Sequence, residues 1–411
     1  MKMKKNASWL LTAMGASLLL IVSCVSDPEP DPIPELEARL TSATVKITRP
    51  SGDLRGQLGA SGLDLPIDAI QYDVAMYTVE YTTTYGSQEV PASGTVFLPV
   101  NGEVSFKFPV LSFQHGTIAS NAEAPSQLGI GDVQNLLYSG MAGAGFIVVV
   151  PDYIGFGASV DIVHPYFVEE PTANAVIDLI RAGGELALEN DLEIGTHLYL
   201  AGYSQGGYAT MAAHKYIEEQ GMEWFDLQKS YPSSGGYDMP GVRDYFFGLD
   251  VYAQPFFLAY VAEAFRTFYG WSEDDLSLVF KEPYASLIPT LFDASLSGGQ
   301  INDQLNDTIA VLVQADYMAD TEGAAYSKFT EAFNENSLLD WTPQIPVALF
   351  HGDADVTVPY QNSVDSYESF IGSGTSTDVM TFTGLPGATH FTGFVPYLEQ
   401  MLNDIVELEG L

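Results

Sequence analysis

The strongest constraint on the fold is an alternation of apolar strand and helical pattern, repeated three times in the middle of the chain. "KFPVLSF" (107–113) precedes a helical pattern near Ser126 to Ala142, "GFIVVVP" (145–151) one near Thr172 to Glu189, and "THLYLAG" (196–202) one near Gln205 to Glu219. Strands that are apolar almost without interruption are buried on both faces, and helices returning between them imply a mostly parallel sheet covered on both sides. A further strand is predicted around Leu227 to Tyr231. Upstream, the Val-, Tyr- and Thr-rich stretch from Tyr72 to Pro99 reads as an antiparallel hairpin or meander, with turns at Gly86 and at Ser93-Gly94. The alternation breaks from about Gly236 to Thr342. It resumes with "IPVALFHG" (345–352), a helix near Tyr360 to Ile371, the strand "TDVMTFTG" (377–384) and a last helix after His390. The break is dense in aromatic residues at helical spacing, from Tyr245 to Trp271, which predicts a helical cap inserted over an α/β core.

Ligands of such sheets bind at the carboxyl ends of the strands, so the chemistry is sought there. "LYLAGYSQGGYATMAAH" (198–214) places the pattern G-x-S-x-G, Gly202-Tyr203-Ser204-Gln205-Gly206, between an apolar strand and a small-residue helix. That is the strand-turn-helix setting a strained nucleophile turn requires, and the flanking glycines fit because the sharp turn leaves no room for a Cβ. Ser204 is the candidate nucleophile. The Gln205 N–H, at the helix N-terminus, faces a developing oxyanion.

A serine on this turn needs a base and an acid, and the chain order of the triad is Ser, acid, His. Of the six histidines, His115, His164 and His197 precede Ser204, His214 lies in the following helix and His351 precedes the acidic loop. His390, in "LPGATHFTG", follows both. The acidic loop itself, "HGDADVTVP" (351–359), carries Asp353 and Asp355. D-x-D-x-T is also a mark of metal-dependent phosphatases. Those need a downstream base to balance the phosphate and further acids for Mg²⁺, and after Lys328 the chain has no Lys or Arg. Residues two apart point the same way in an extended segment, so spacing leaves Asp353 and Asp355 both open as the triad acid.

The N-terminus has three lysines (Lys2, Lys4, Lys5) and then an apolar stretch from Ala7 to Val22, shorter than a bilayer span. It reads as a secretory signal. Ile21-Val22-Ser23-Cys24 resembles a bacterial lipobox, and Cys24 is the only cysteine, so the one thiol sits where lipidation needs it. "VSDPEPDPIPELEARL" follows as an extended, solvated tether. The expected layout is a signal over 1–23, a lipidated tether over 24–41, core over 42–235, cap over 236–342 and core again over 343–411. Export and a lipid anchor at the outer membrane or cell surface follow, since Val25 gives no inner-membrane retention signal. A net charge of −38 without a basic stripe argues against nucleic acid and disfavours strongly anionic substrates.

Taken together, "QHGT", "VPDYIGFG", "GYSQGG", "HGDADVTVP" and "ATHF" resemble the secreted lipase branch of the α/β-hydrolases, fungal secretory lipases with a large helical cap and their bacterial relatives. The likeness runs from about Tyr72 to the C-terminus and is weakest across the cap. It implies carboxylic ester hydrolysis through a serine acyl-enzyme, with neither metal nor cofactor. It also implies that the acid is Asp355, as in H-G-x-x-D-x-x-V-P, with Asp353 the runner-up. The His-Gly turn would supply the second oxyanion donor, the Thr117 N–H, with Gly116 letting the chain turn, and Asp152-Tyr153 would wall the site near Ser204. Disulfides common in the fungal members have no counterpart here. Three other readings fit the same residues: an exopeptidase, a polysaccharide acyl esterase, and a non-catalytic binding lipoprotein that keeps the shell.

Overall fold

The computed structural model describes residues 38–411 except 64, 102–106 and 320–323. The signal, Cys24 and most of the tether lie outside the described residues. Nine strands form one sheet: β1 (Leu40–Arg49), β2 (Asp73–Tyr85), β3 (Gln88–Val100), β4 (Phe108–Gln114), β5 (Ile147–Pro151), β6 (Ile194–Tyr203), β7 (Asp226–Ser233), β8 (Val347–Gly352) and β9 (Met380–Leu385). Their order is β1-β2-β3-β5-β4-β6-β7-β8-β9. From β1 to β5 neighbours pair antiparallel, and from β5 through β4 to β9 they pair parallel.

The helices among the described residues are α1 (Ser51–Gly59), α2 (Val133–Gly143), α3 (Glu169–Glu189), α4 (Gln205–Gln220), α5 (Met239–Phe247), α6 (Phe256–Phe268), α7 (Tyr284–Leu287), α8 (Gly298–Asn302), α9 (Ile309–Leu312), α10 (Ala315–Ala319), α11 (Ala324–Glu335), α12 (Tyr360–Gly372) and α13 (Phe394–Glu409). Along β6 the side chains alternate. Leu198 and Leu200 pack with α3 and α4, while Tyr199 and Ala201 pack with α1, α2 and α13. Both faces of the strand are thus buried, which is why its sequence reads as apolar throughout. Helices α5 to α11 fall between β7 and β8, and their apolar residues form one continuous cluster with Tyr208 and Met211 of α4 and Val347 and Leu349 of β8.

Three local expectations are corrected. Ser93-Gly94 is not a turn but lies inside β3. A Cβ on Gly94 would stand 2.6 Å from the Val150 carbonyl of β5, so this glycine serves close strand packing. The helix expected from Ser126 starts only at Val133, where the Asp132 side chain accepts from the Gln134 N–H; the stretch before it runs in turns. Residues 40–41, placed in the tether, already belong to β1. That strand and α1 went unrecognised; Ala43, Val45 and Ile47 do alternate with Thr44, Lys46 and Thr48, but β1 is an edge strand exposed along most of its length.

Candidate active site

Ser204 sits between the end of β6 and the start of α4 at φ +60° and ψ −123°, a region costly for any side chain. Its N–H donates to the Ser233 carbonyl at 2.9 Å, tying the turn to β7. The flanking glycines are required by contact: a Cβ on Gly202 would overlap the Gly206 backbone, and one on Gly206 would overlap the Gln114 carbonyl. The turn presents the Ser204 hydroxyl at the carboxyl edge of the sheet.

His390, on the loop between β9 and α13, faces that hydroxyl. Its Nε2 lies 2.9 Å from Ser204 Oγ, and its Nδ1 lies 2.6 Å from Asp355 Oδ2. A carboxylate only accepts, so Nδ1 carries the hydrogen and Nε2 is left to accept from the serine. The loop is backed by the Tyr203 hydroxyl, which donates to the His390 carbonyl at 2.7 Å. Asp355 is buried, and its Oδ1 accepts from the N–H groups of Thr357 at 2.9 Å and Val358 at 3.1 Å. Burial alone would raise its pKa; hydrogen bonds from His351 and His390 outweigh it and hold the group at about 2, so it stays ionised. Asp353, by contrast, is exposed and accepts from the Gly387 N–H at 2.6 Å, bracing the β9 turn instead of the imidazole.

Two cavities meet at Ser204. One is a narrow apolar slot of about 50 Å³ running under the cap, lined by Phe167, Met239, Phe246, Val261, Phe280 and Phe333 among others. The other is an open cleft of about 700 Å³ bounded by Gly116, Thr117, Gln254, Ser297, His390 and Phe391. Phe257 and Thr357 line both and divide them. Gly116 and Thr117 therefore stand at the mouth of Ser204; a Cβ on Gly116 would already touch Ser204 Cβ at 3.7 Å. Gln205 opens α4, so its N–H is among the first-turn donors without an intrahelical partner.

Asp152 and Tyr153 do not wall the site. Both are buried behind the His115–Thr117 turn and line neither cavity. Asp152 accepts from the Ser93 hydroxyl at 2.6 Å and the Ser126 N–H at 2.8 Å, and Tyr153 donates from its hydroxyl to the His115 carbonyl at 3.0 Å. Tyr153 braces the turn from the rear, while Asp152 ties β3 to the loop ahead of α2. Sequence reasoning also missed His351, whose Nε2 is 3.2 Å from Asp355 Oδ2. Its place directly at the end of β8 was the available signal.

Distances alone do not make a site. Ser230 Oγ, His214 and Glu218 form a second hydroxyl-imidazole-carboxylate chain, with contacts of 2.5 and 2.9 Å. There, however, His214 and Ser230 are fully buried, Glu218 accepts from the Gln344 and Ile345 N–H groups, and neither cavity reaches them. What sets Ser204 apart is access.

Residues 126–220 match the secretory lipase family model, a stretch that holds α3, the Ser204 turn and α4. No curated protein matches the sequence. Among solved structures, a presumed hydrolase from Legionella pneumophila superposes with a TM-score of 0.78 at 25% identity, covering 90% of this chain and 98% of that one. The rice cell wall degrading esterase LipA from Xanthomonas oryzae gives 0.77 at 24% identity over 90% and 97%. Candida antarctica lipase A in its closed state gives 0.64 at 16% identity over 89% and 82%. The chain thus has the α/β-hydrolase fold, and the stretch that carries the Ser204 turn is similar to the secretory lipases.

Proposed function

We propose that this protein is a carboxylic ester hydrolase that works through an acyl-enzyme on Ser204. The observation that carries the reading is the chain from Ser204 Oγ through His390 to Asp355, with contacts of 2.9 and 2.6 Å, opening onto two unlike cavities. His390 takes the serine proton as Oγ attacks the ester carbonyl, and Asp355 orients the ring and stabilises the imidazolium. Backbone N–H groups of Gln205 and Thr117 hold the oxyanion. His390 then protonates the departing alcohol, and water, activated by the same ring, frees the acid.

The cavities sort the two halves of the ester. The narrow slot suits the acyl chain, and the wider cleft, itself mainly apolar but with Thr117, Gln134, Gln254 and Ser297 in its lining, suits the alcohol. The width of this cleft leaves room for a bulky alcohol, as the second reading, an acyl esterase acting on decorated polysaccharide, requires. The exopeptidase reading loses support at the cleft, because Glu123 is the one acid lining either cavity among the described residues. Its carboxylate is engaged by the Ala119 and Ser120 N–H groups. Export and a lipid anchor on Cys24 complete the proposal, placing the enzyme at the outer membrane or cell surface. Among the described residues no helix is long and apolar enough to cross a membrane.

Hydrolysis of p-nitrophenyl esters beside aminoacyl p-nitroanilides tests the chemistry. Ester turnover should dominate and fall by about 10⁴-fold or more in Ser204→Ala. Anilide turnover far above ester turnover would overturn the ester assignment. Acetylated xylan tested beside triglycerides separates the two ester readings.

A further inference from the structure

The two oxyanion donors come from different elements, Gln205 from α4 and Thr117 from the loop after β4, so something must fix their spacing. The segment His164-Pro165-Tyr166 lies between them, with the two rings 6.0 Å apart. His164 Nδ1 is 2.6 Å from the Ile154 carbonyl, which can only accept, so Nδ1 carries the hydrogen. Its Nε2 then accepts from the Gln205 side-chain amide at 2.6 Å. Burial pushes the His164 pKa down to about 3, which keeps the ring neutral and that lone pair available. At the other end, the Tyr166 hydroxyl is 3.0 Å from Thr117 Oγ1.

The cap joins this arrangement. Tyr260 of α6 stacks on Tyr166 with centroids 4.5 Å apart and planes 12° from parallel, and its hydroxyl donates to the Ile118 carbonyl at 3.4 Å. Gly155, at φ +101°, packs so closely under His164 that a Cβ would stand 2.5 Å from the His164 Cα. The segment is therefore held from below by the core and from above by the cap. All three rings are at least nine-tenths buried.

We propose that His164 and Tyr166 are positioning residues for the oxyanion hole, one ring holding each donor, with Tyr260 linking the cap to the same geometry. This rests on the ester hydrolase reading and on Gln205 and Thr117 as donors. Neither ring exchanges a proton or a bond with the substrate. Each acts by holding an N–H where charge develops, so its loss lowers transition-state stabilisation more than ground-state binding.

The test is a double-mutant cycle on Thr117→Val and Tyr166→Phe, which removes the hydroxyl pair while keeping shape and the backbone N–H. Each single variant should lower kcat about ten-fold at nearly unchanged KM and weaken inhibition by a trifluoromethyl ketone in parallel, and the double variant should be no worse than either single. Additive losses, or losses confined to KM, would overturn the role of Tyr166. Gln205→Met, which keeps the N–H but gives up His164, should show the same kcat-only loss; an unchanged kcat would overturn the role of His164. Wild-type enzyme is labelled with a fluorophosphonate alongside. Absence of labelling would overturn the serine mechanism and this proposal with it, whereas labelling with an additive cycle removes the proposal alone.

Discussion

His351 Nε2 lies 3.2 Å from Asp355 Oδ2, the same oxygen that meets His390 Nδ1 at 2.6 Å. His351 is anchored in turn, since its Nδ1 is 2.7 Å from Ser363 Oγ and its Nε2 also reaches the Val358 carbonyl at 3.1 Å. One carboxylate oxygen thus accepts from two imidazoles, and His351 keeps it aimed at His390, the proposed base. Asp355→Asn should lower kcat by about 10⁴-fold, because an amide there favours the wrong imidazole tautomer. Asp353→Asn should stay within a few-fold of wild type, because an amide oxygen still accepts from the Gly387 N–H. Steady-state kinetics on a p-nitrophenyl ester distinguish the two, and a reversed ranking would move the acid to Asp353.

Acid should weaken the fold in two stages. Burial holds His115 down at about 4 and His164 at about 3, against an ordinary 6.5, and lowers His214 as well. The unfolded chain binds these protons first, so the stability they contribute is full above pH 6.5 and is lost as pH falls toward the folded values. Each ring adds a slope of up to about 1.4 kcal/mol per pH unit. Asp355, held at about 2 against 3.8, contributes stability that is present above 3.8 and lost as pH falls from there to about 2. It is worth on the order of 2 kcal/mol. Urea unfolding of wild type beside His164→Phe should show the midpoint of the variant falling less steeply between pH 6.5 and 5, and identical slopes would contradict neutral burial of that ring.

Phe257 divides the apolar slot from the open cleft. Phe257→Ala should join them and raise turnover of long acyl esters relative to butyrate several-fold. A series of p-nitrophenyl esters of rising chain length reads this directly, and an unchanged profile would mean that the slot does not hold the acyl chain.

Gly206→Ala should abolish activity and destabilise the protein by more than about 3 kcal/mol, since the new Cβ collides with the Gln114 carbonyl and both are backbone-fixed. Expression with circular dichroism and urea titration checks the outcome. A folded, active variant would show that the turn has more room than its geometry allows.

Much of this was legible because the informative constraints are local. Ser204 could be read from strand, turn and helix within seventeen residues, and His390 from chain order. The acid could not be read from spacing, because alternation holds only for an extended segment; residues 353–359 run mostly in turns, with Asp355 buried and Asp353 exposed. Gly94 looked like a turn signal because a glycine packed against a neighbouring strand and one at a bend are the same letter. His164 and Tyr166 gave no signal, since they meet Gln205 and Thr117 from about forty to fifty residues away, and only the tertiary fold supplies that contact.

The most direct measurement is intact-mass analysis after exposure to a fluorophosphonate, followed by peptide mapping. Wild-type protein should gain a single phosphonyl adduct on the peptide bearing Ser204, and Ser204→Ala should gain none while remaining folded. An adduct at another serine, or none on folded wild-type protein, would contradict the assignment of Ser204 as the nucleophile.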